Sequence, residues 1–218
     1  MRRWIGCVVV AALVLVACRT PPQPTVQRPT TSSVEDLAAA IEADAKRSEG
    51  ESDSKIRAEL ATEASGDAEA CLAREPQAAA CLYGRAVALG LAARAHPTRA
   101  GELLNNMLEF LAGAEAADPN YDQAGPARVR ALVLIRAPGW PLGPGDPEAG
   151  LAAARRAASL RPQYPPNLLA LAEALAKTGD ANGARETYER ARDAAQALPS
   201  TADRDDWLRE ADRALRGN

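Results

Sequence analysis

Aromatic residues are scarce in this chain: of 218 residues only 4% are Phe, Trp or Tyr, and Phe occurs once. Alanine supplies much of the 47% apolar content, which suits helices packed closely together rather than strands. Histidine is nearly absent too. The single one, His96, precedes Pro97 where a helix should end, and it reads as a helix-terminal residue rather than a catalytic base. With one imidazole and few available thiols, no zinc site of the usual ligand spacings can be assembled. There is no G-x-S-x-G, no H-E-x-x-H, no phosphate-binding loop, and no G-x-G-x-x-G after a strand. The chain is therefore read as neither an enzyme nor a cofactor-binding protein, with no catalytic residues and no metal. Lysine occurs only at 46, 55 and 177, the formal charge is −3, and no basic stripe exists, so nucleic acid is not an expected partner.

What is present begins at the N-terminus. Met1-Arg2-Arg3 is a short basic region, and Ile5 to Val16 is an apolar stretch of about a dozen residues, short for a hydrocarbon core of about 30 Å. It ends in Leu15-Val16-Ala17-Cys18, which resembles the bacterial lipoprotein lipobox. Residues 1–17 are accordingly read as a signal peptide and Cys18 as the lipidation site, holding the chain to a membrane through acyl chains. Loss of residues 1–17 removes two arginines and no acid, which takes the formal charge from −3 to −5. Residues 18–33 carry four prolines and no apolar periodicity, the composition of an extended tether. Residues 34–218 form the domain.

Cys7 leaves with the signal peptide, so Cys71 and Cys81 remain as an even pair in an oxidising compartment. Pro76 lies midway between them. If it opens the second helix of an antiparallel hairpin, the two thiols sit at one height and can bridge. The alternative is two small thiols buried in an alanine-rich seam; the bridge is the expectation.

Along the domain, Ser32 or Ser33 is the expected N-cap of a first helix, with Glu35 and Asp36 in its first turn. Residues 35–75 hold twelve acidic and five basic residues, a solvated helical face broken near Glu49-Gly50. Further helices are expected over 76–95, with Pro76 as first residue, and over 98–117, 125–137, 147–160, 165–178, 181–197 and 202–215. No stretch alternates with period two. A larger period then appears. Leu168, Leu171 and Leu175 line one helix, Gly179-Asp180 makes a turn, and Ala184, Tyr188 and Ala191 line the next. This is the spacing of the tetratricopeptide repeat (TPR), in which small residues allow close approach and the aromatic fills the groove beside them. Gly150, Ala154 and Ala157 occupy the same places one unit earlier. The fold expected is all-α: a TPR-like helical-hairpin solenoid of three to four antiparallel helix pairs plus a C-terminal capping helix.

The segment Arg136-Ala-Pro-Gly-Trp-Pro-Leu-Gly-Pro-Gly-Asp146 interrupts this pattern. It lengthens the expected Gly145-Asp146 turn with three prolines, three glycines and Trp140. A tryptophan there either folds over the hydrophobic core at a hairpin end or lines a ligand or partner surface. Stacked hairpins also make a concave face lined by the first helix of each pair. Candidate surface residues on those helices are Tyr83 and Arg85, Arg128 and Arg130, and Asn167, each with a plainer reading: Tyr83 as core, Arg130 as surface charge, Asn167 as an N-cap. Two arginines near one groove could hold a carboxylate.

The succession D-P-N-Y (118–121), G-P-x-R (125–128), A-P-G-W-P (137–141), G-D (145–146), P-Q-Y-P-P-N (162–167) and L-A-E-A-L (171–175) resembles TPR-containing bacterial lipoproteins of the TRAP-transporter T-component (TatT-like) family. The resemblance implies a lipid-anchored periplasmic protein, held to the outer membrane, that associates with a periplasmic solute-binding protein of a secondary transport system. It further implies a capacity to form homo-oligomers and a cavity for an apolar or carboxylate-bearing ligand. A different reading of the same fold is a structural TPR scaffold that assists assembly or secretion of envelope complexes.

Overall fold

The computed structural model describes residues 32–217; the expected signal peptide, the lipidation site Cys18 and most of the tether lie outside the described residues. Nine α-helices follow one another among those residues: α1 (Val34–Gly50), α2 (Ser54–Arg74), α3 (Ala79–Ala95), α4 (Ala100–Ala117), α5 (Tyr121–Arg136), α6 (Pro147–Leu160), α7 (Pro165–Lys177), α8 (Ala181–Gln196) and α9 (Ala202–Gly217). A single 3-10 turn, Pro97–Arg99, joins α3 to α4. The described residues contain no strand, and none of their helices is long and apolar enough to cross a membrane. The fold is an all-α, TPR-like solenoid.

Helix ends obey local chemistry. Ser33 caps α1 through a reciprocal pair in which its Oγ accepts from the Asp36 amide and the Asp36 carboxylate accepts from the Ser33 amide, satisfying two otherwise orphaned donors. Asp53, Asp146 and Asp180 cap α2, α6 and α8 in the same sense. Gly179 turns the chain with φ +90°, a conformation that costs a side chain dearly. The second helix of the first sulfur-bearing hairpin starts at Ala79 rather than at Pro76. Pro76 and Gln77 instead make the turn, which the Ala78 amide closes onto the Glu75 carbonyl.

Each helix packs on its neighbour, giving four antiparallel pairs with α9 laid against the last. The odd-numbered helices also touch their next odd neighbour, whereas the even-numbered ones do not. The stack therefore curves, with α1, α3, α5, α7 and α9 on the inside. Small residues set the spacing. Gly150, Ala154 and Ala157 are buried against α5, and a Cβ on Gly150 would already stand 3.3 Å from the Ala131 carbonyl and the Ile135 amide. Ala184, Tyr188 and Ala191 pack with Leu168, Leu175 and Ala211 in the last core cluster. Such interdigitation is what a close-packed interior requires.

Cys71 and Cys81 are joined by a disulfide with Cα atoms 5.2 Å apart, both side chains fully buried between α2 and α3. Closing so short a loop restricts the unfolded chain. Reduction, or paired Cys71→Ala and Cys81→Ala substitution, is expected to lower unfolding free energy by about 3 kcal/mol, measured as a shift of the urea midpoint at unchanged slope.

Candidate functional site

Three of the six sequence-selected surface residues meet on the concave face. Tyr83 projects from α3, Arg128 from α5 and Asn167 from the first turn of α7. Their meeting point is an unusual piece of backbone. Asp122, Gln123 and Ala124 all have positive φ, at 45°, 56° and 65°, a left-handed turn built without glycine. Each such residue costs about 1–2 kcal/mol, so something must hold it. Arg128 and Asn167 do so. The Arg128 guanidinium donates to the Asp122 and Gln123 carbonyls at 3.2 and 3.4 Å, to Asn167 Oδ1 at 3.1 Å and to the Asp122 carboxylate at 2.7 Å. Asn167, fully buried, donates from Nδ2 to the Gln123 carbonyl at 2.9 Å and the Ala157 carbonyl at 3.1 Å. One amide side chain thus ties together α5, α6 and α7.

The turn brings the Asp122 carboxylate back beneath its own helix. Only glycine fits at 125, where a Cβ would stand 2.5 Å from Asp122 Oδ2 and 3.0 Å from the Tyr83 hydroxyl. Tyr83 donates to that carboxylate at 3.1 Å. Burial, reinforced by the neighbouring Asp122 charge, pushes the Tyr83 phenol above its ordinary value, so the hydroxyl stays a donor across the accessible pH range. α3 and α5 are in slight contact compared with the α1–α3 and α5–α7 pairs. A cavity of about 540 Å³ opens between α1, α3 and α5. Ile41, Val87, Val129 and Leu132 supply its apolar surface, and Tyr83 and Tyr121 its aromatic wall. These two rings meet edge to face at 5.4 Å. Tyr164, beneath the Arg128 guanidinium at 5.4 Å, stacks edge to face on Trp207 of α9 at 5.7 Å. Three of the four tyrosines therefore gather at this end of the concave face.

The remaining candidates lie elsewhere. Arg85 pairs with Glu69 of α2 at 3.5 Å. Arg130 faces α4, where Glu115 stands 3.4 Å away, so Arg128 and Arg130 do not converge on one groove and no carboxylate clamp forms from them. Asn167 is not an N-cap either: Tyr164 holds that position, and the amide is turned inward instead. Of the two readings of Trp140, core cover or partner surface, its exposure excludes the first. It is 91% exposed, and Leu142 beside it 75%. The loop carrying them is nevertheless pinned. The Gly145 amide donates to the Pro138 carbonyl and the Asp146 amide to the Leu134 carbonyl, each at 2.9 Å. Trp140 and Leu142 edge a second cleft of about 670 Å³ against Thr98–Asn105, separate from the concave face.

A protein-family model described as "Tetratricopeptide repeat" matches residues 142–200, the stretch that holds α6, α7 and α8. Over those residues the chain is similar to a tetratricopeptide repeat. A search of curated proteins finds no match to it. TPR segments typically serve as non-catalytic surfaces for protein–protein contact. The described residues hold no group of three or more His, Cys, Asp or Glu side chains arranged to take a metal ion.

Sequence reasoning passed over Tyr121, Asp122 and Trp207. A signal for the tyrosines exists: Pro119-Asn120-Tyr121 and Pro162-Gln163-Tyr164 are the same Pro-x-Tyr step, each delivering a ring to the start of an inner helix.

Two stability tests separate the clamp from the loop. Asn167→Leu strands the Gln123 and Ala157 carbonyls and one Arg128 contact, and should cost about 2–4 kcal/mol, whereas Arg99→Ala, an exposed pair with Glu102, should change stability by less than about 0.5 kcal/mol; chemical denaturation measures both. In the loop, Gly145→Ala drives a Cβ into the Ala137 carbonyl and should lower the melting temperature by several degrees. Trp140→Ala should leave it within about a degree, since an exposed ring buries little.

Proposed function

We propose that this chain is a lipid-anchored periplasmic TPR lipoprotein, held to the outer membrane through Cys18, that binds a partner protein and its ligand as a component of a TRAP-type solute transport system. The observation that carries this reading is the concave face, where Tyr83 and Arg128 line a cavity of about 540 Å³ and the buried Asn167 holds Arg128 in place. That volume lies within the range of small-ligand sites. The lipobox-like Leu15-Val16-Ala17-Cys18 supports the anchor, and the buried Cys71–Cys81 disulfide fits an oxidising compartment. The proposed partner is a periplasmic solute-binding protein.

A second reading, a structural scaffold that assists assembly or secretion of envelope complexes, is favoured by one observation. Trp140 and Leu142 stand exposed on a pinned loop away from the concave cavity, and rigid exposed tryptophans are typical anchors of protein interfaces.

Cross-linking of the full chain in its native envelope, followed by pull-down, tests both. A solute-binding protein recovered with wild type and with Trp140→Ala is the expected result. Recovery of assembly-machinery subunits alone, abolished by Trp140→Ala, would replace the first reading with the second. In the same experiment Cys18→Ala should move the protein to the soluble fraction, and membrane retention would overturn the lipid anchor.

A further inference from the structure

The concave cavity has a charge of its own. Its lining carries three carboxylates, Glu42, Glu49 and Asp122, against one cation, Arg128. Asp122 and Arg128 answer each other at 2.7 Å, and the guanidinium is further engaged by two carbonyls and Asn167. That pair is internally neutral. Glu42 and Glu49, about two and four turns along α1, are left with Lys46 between them. Lys46 in turn reaches across the mouth of the curve to Asp203 of α9 at 2.6 Å. One ammonium thus serves three carboxylates, and the mouth keeps a net negative charge.

This excess is felt inside. Tyr121 is pushed above the ordinary phenol value, by burial first and then by the Asp122 and Glu42 charges nearby. An anionic ligand would have to displace Asp122 from Arg128 while facing Glu42 and Glu49. A cation meets the opposite situation: an acidic mouth, a tyrosine wall able to receive it face-on, and an apolar floor for its stem. Lys46 already pairs with Asp203 at this mouth, but because both members of that ion pair are more than half exposed, it holds its place weakly.

We infer that the concave cavity receives a segment of a partner protein that presents a lysine or arginine flanked by apolar side chains. The inference rests on the concave face being the binding face, and it assigns the chemistry of the occupant by charge complementarity. The cationic head lies between Glu42, Glu49 and Asp203, and the apolar neighbours lie on Ile41, Val87 and Leu132.

Calorimetric titration of the full chain with three capped peptides, identical except for two lysines, two glutamines or two glutamates among leucine and alanine, tests this. The lysine peptide should bind about tenfold or more tightly than the glutamine peptide and weaken as salt rises, with the glutamate peptide weakest. The double variant Glu42→Gln/Glu49→Gln, two exposed changes on α1 whose helicity circular dichroism verifies, should abolish most of that preference. Equal binding of all three peptides, or tightest binding of the glutamate peptide, would overturn the proposal. So would hexylammonium binding as tightly as the lysine peptide, since the occupant would then be a small cation. Each result is independent of which protein the pull-down recovers, so the charge preference and the transport role stand or fall separately.

Discussion

A left-handed turn of three residues with side chains persists in this protein because two partners take up its carbonyls. Arg128 comes from the helix that the turn begins, and Asn167 from the next inner helix, fully buried. Neither hydrogen bond is available in an extended or randomly coiled chain, so the turn depends on the stacking of α5, α6 and α7. That stacking depends in turn on Gly150, Ala154 and Ala157, which let α6 lie close to α5. Small side chains thus act first, the amide clamp second, and the cavity third. Backbone strain of this kind is characteristically retained where geometry matters for binding. Here it brings Asp122 to the Tyr83 hydroxyl and Tyr121 to the Tyr83 ring on the inner face.

The same chain of causes explains what could be read from the residues alone. Helices α6, α7 and α8 follow from spacing: Gly150, Ala154 and Ala157, then Leu168, Leu171 and Leu175, then Ala184, Tyr188 and Ala191 repeat at helical intervals, and turn chemistry at Gly179-Asp180 separates them. Information of that sort is local. The left-handed turn was not legible because its cause is not local: Asn167 lies 44 residues from the Gln123 carbonyl it satisfies. For a related reason, the residues alone left Trp140 open between core cover and partner surface. Its apolar surface invites burial, yet the loop's hydrogen bonds to Pro138 and Leu134 fix the backbone without needing the ring. Tyr83, Arg128 and Asn167 were identifiable as residues of inner helices. That Arg128 would join Asp122 rather than Arg130 could not be deduced from helix position.

Two surfaces of different character result. The inner one is a partly open cavity, aromatic along its wall and acidic at its mouth, with polar groups oriented by buried hydrogen bonds. The outer one is a single exposed aromatic on a rigid loop, beside the largely self-compensated Arg99–Glu102 pair. TPR-like solenoids bind through the inner curve of the stack as a rule, and a second, loop-borne contact would let one molecule engage two proteins at once. Linked contacts of this type gain affinity through effective concentration rather than through stronger individual interactions.

The reach of Lys46 to Asp203 has a consequence for how such a molecule can change over evolutionary time. Solenoids ordinarily lengthen by duplication of a repeat, because each new unit needs only a neighbour to stack on. In this chain a side chain of the first inner helix, Lys46, reaches Asp203 of the last across the curve. An additional hairpin along the stack would part that pair, so lengthening would forfeit the ion pair that links the two ends.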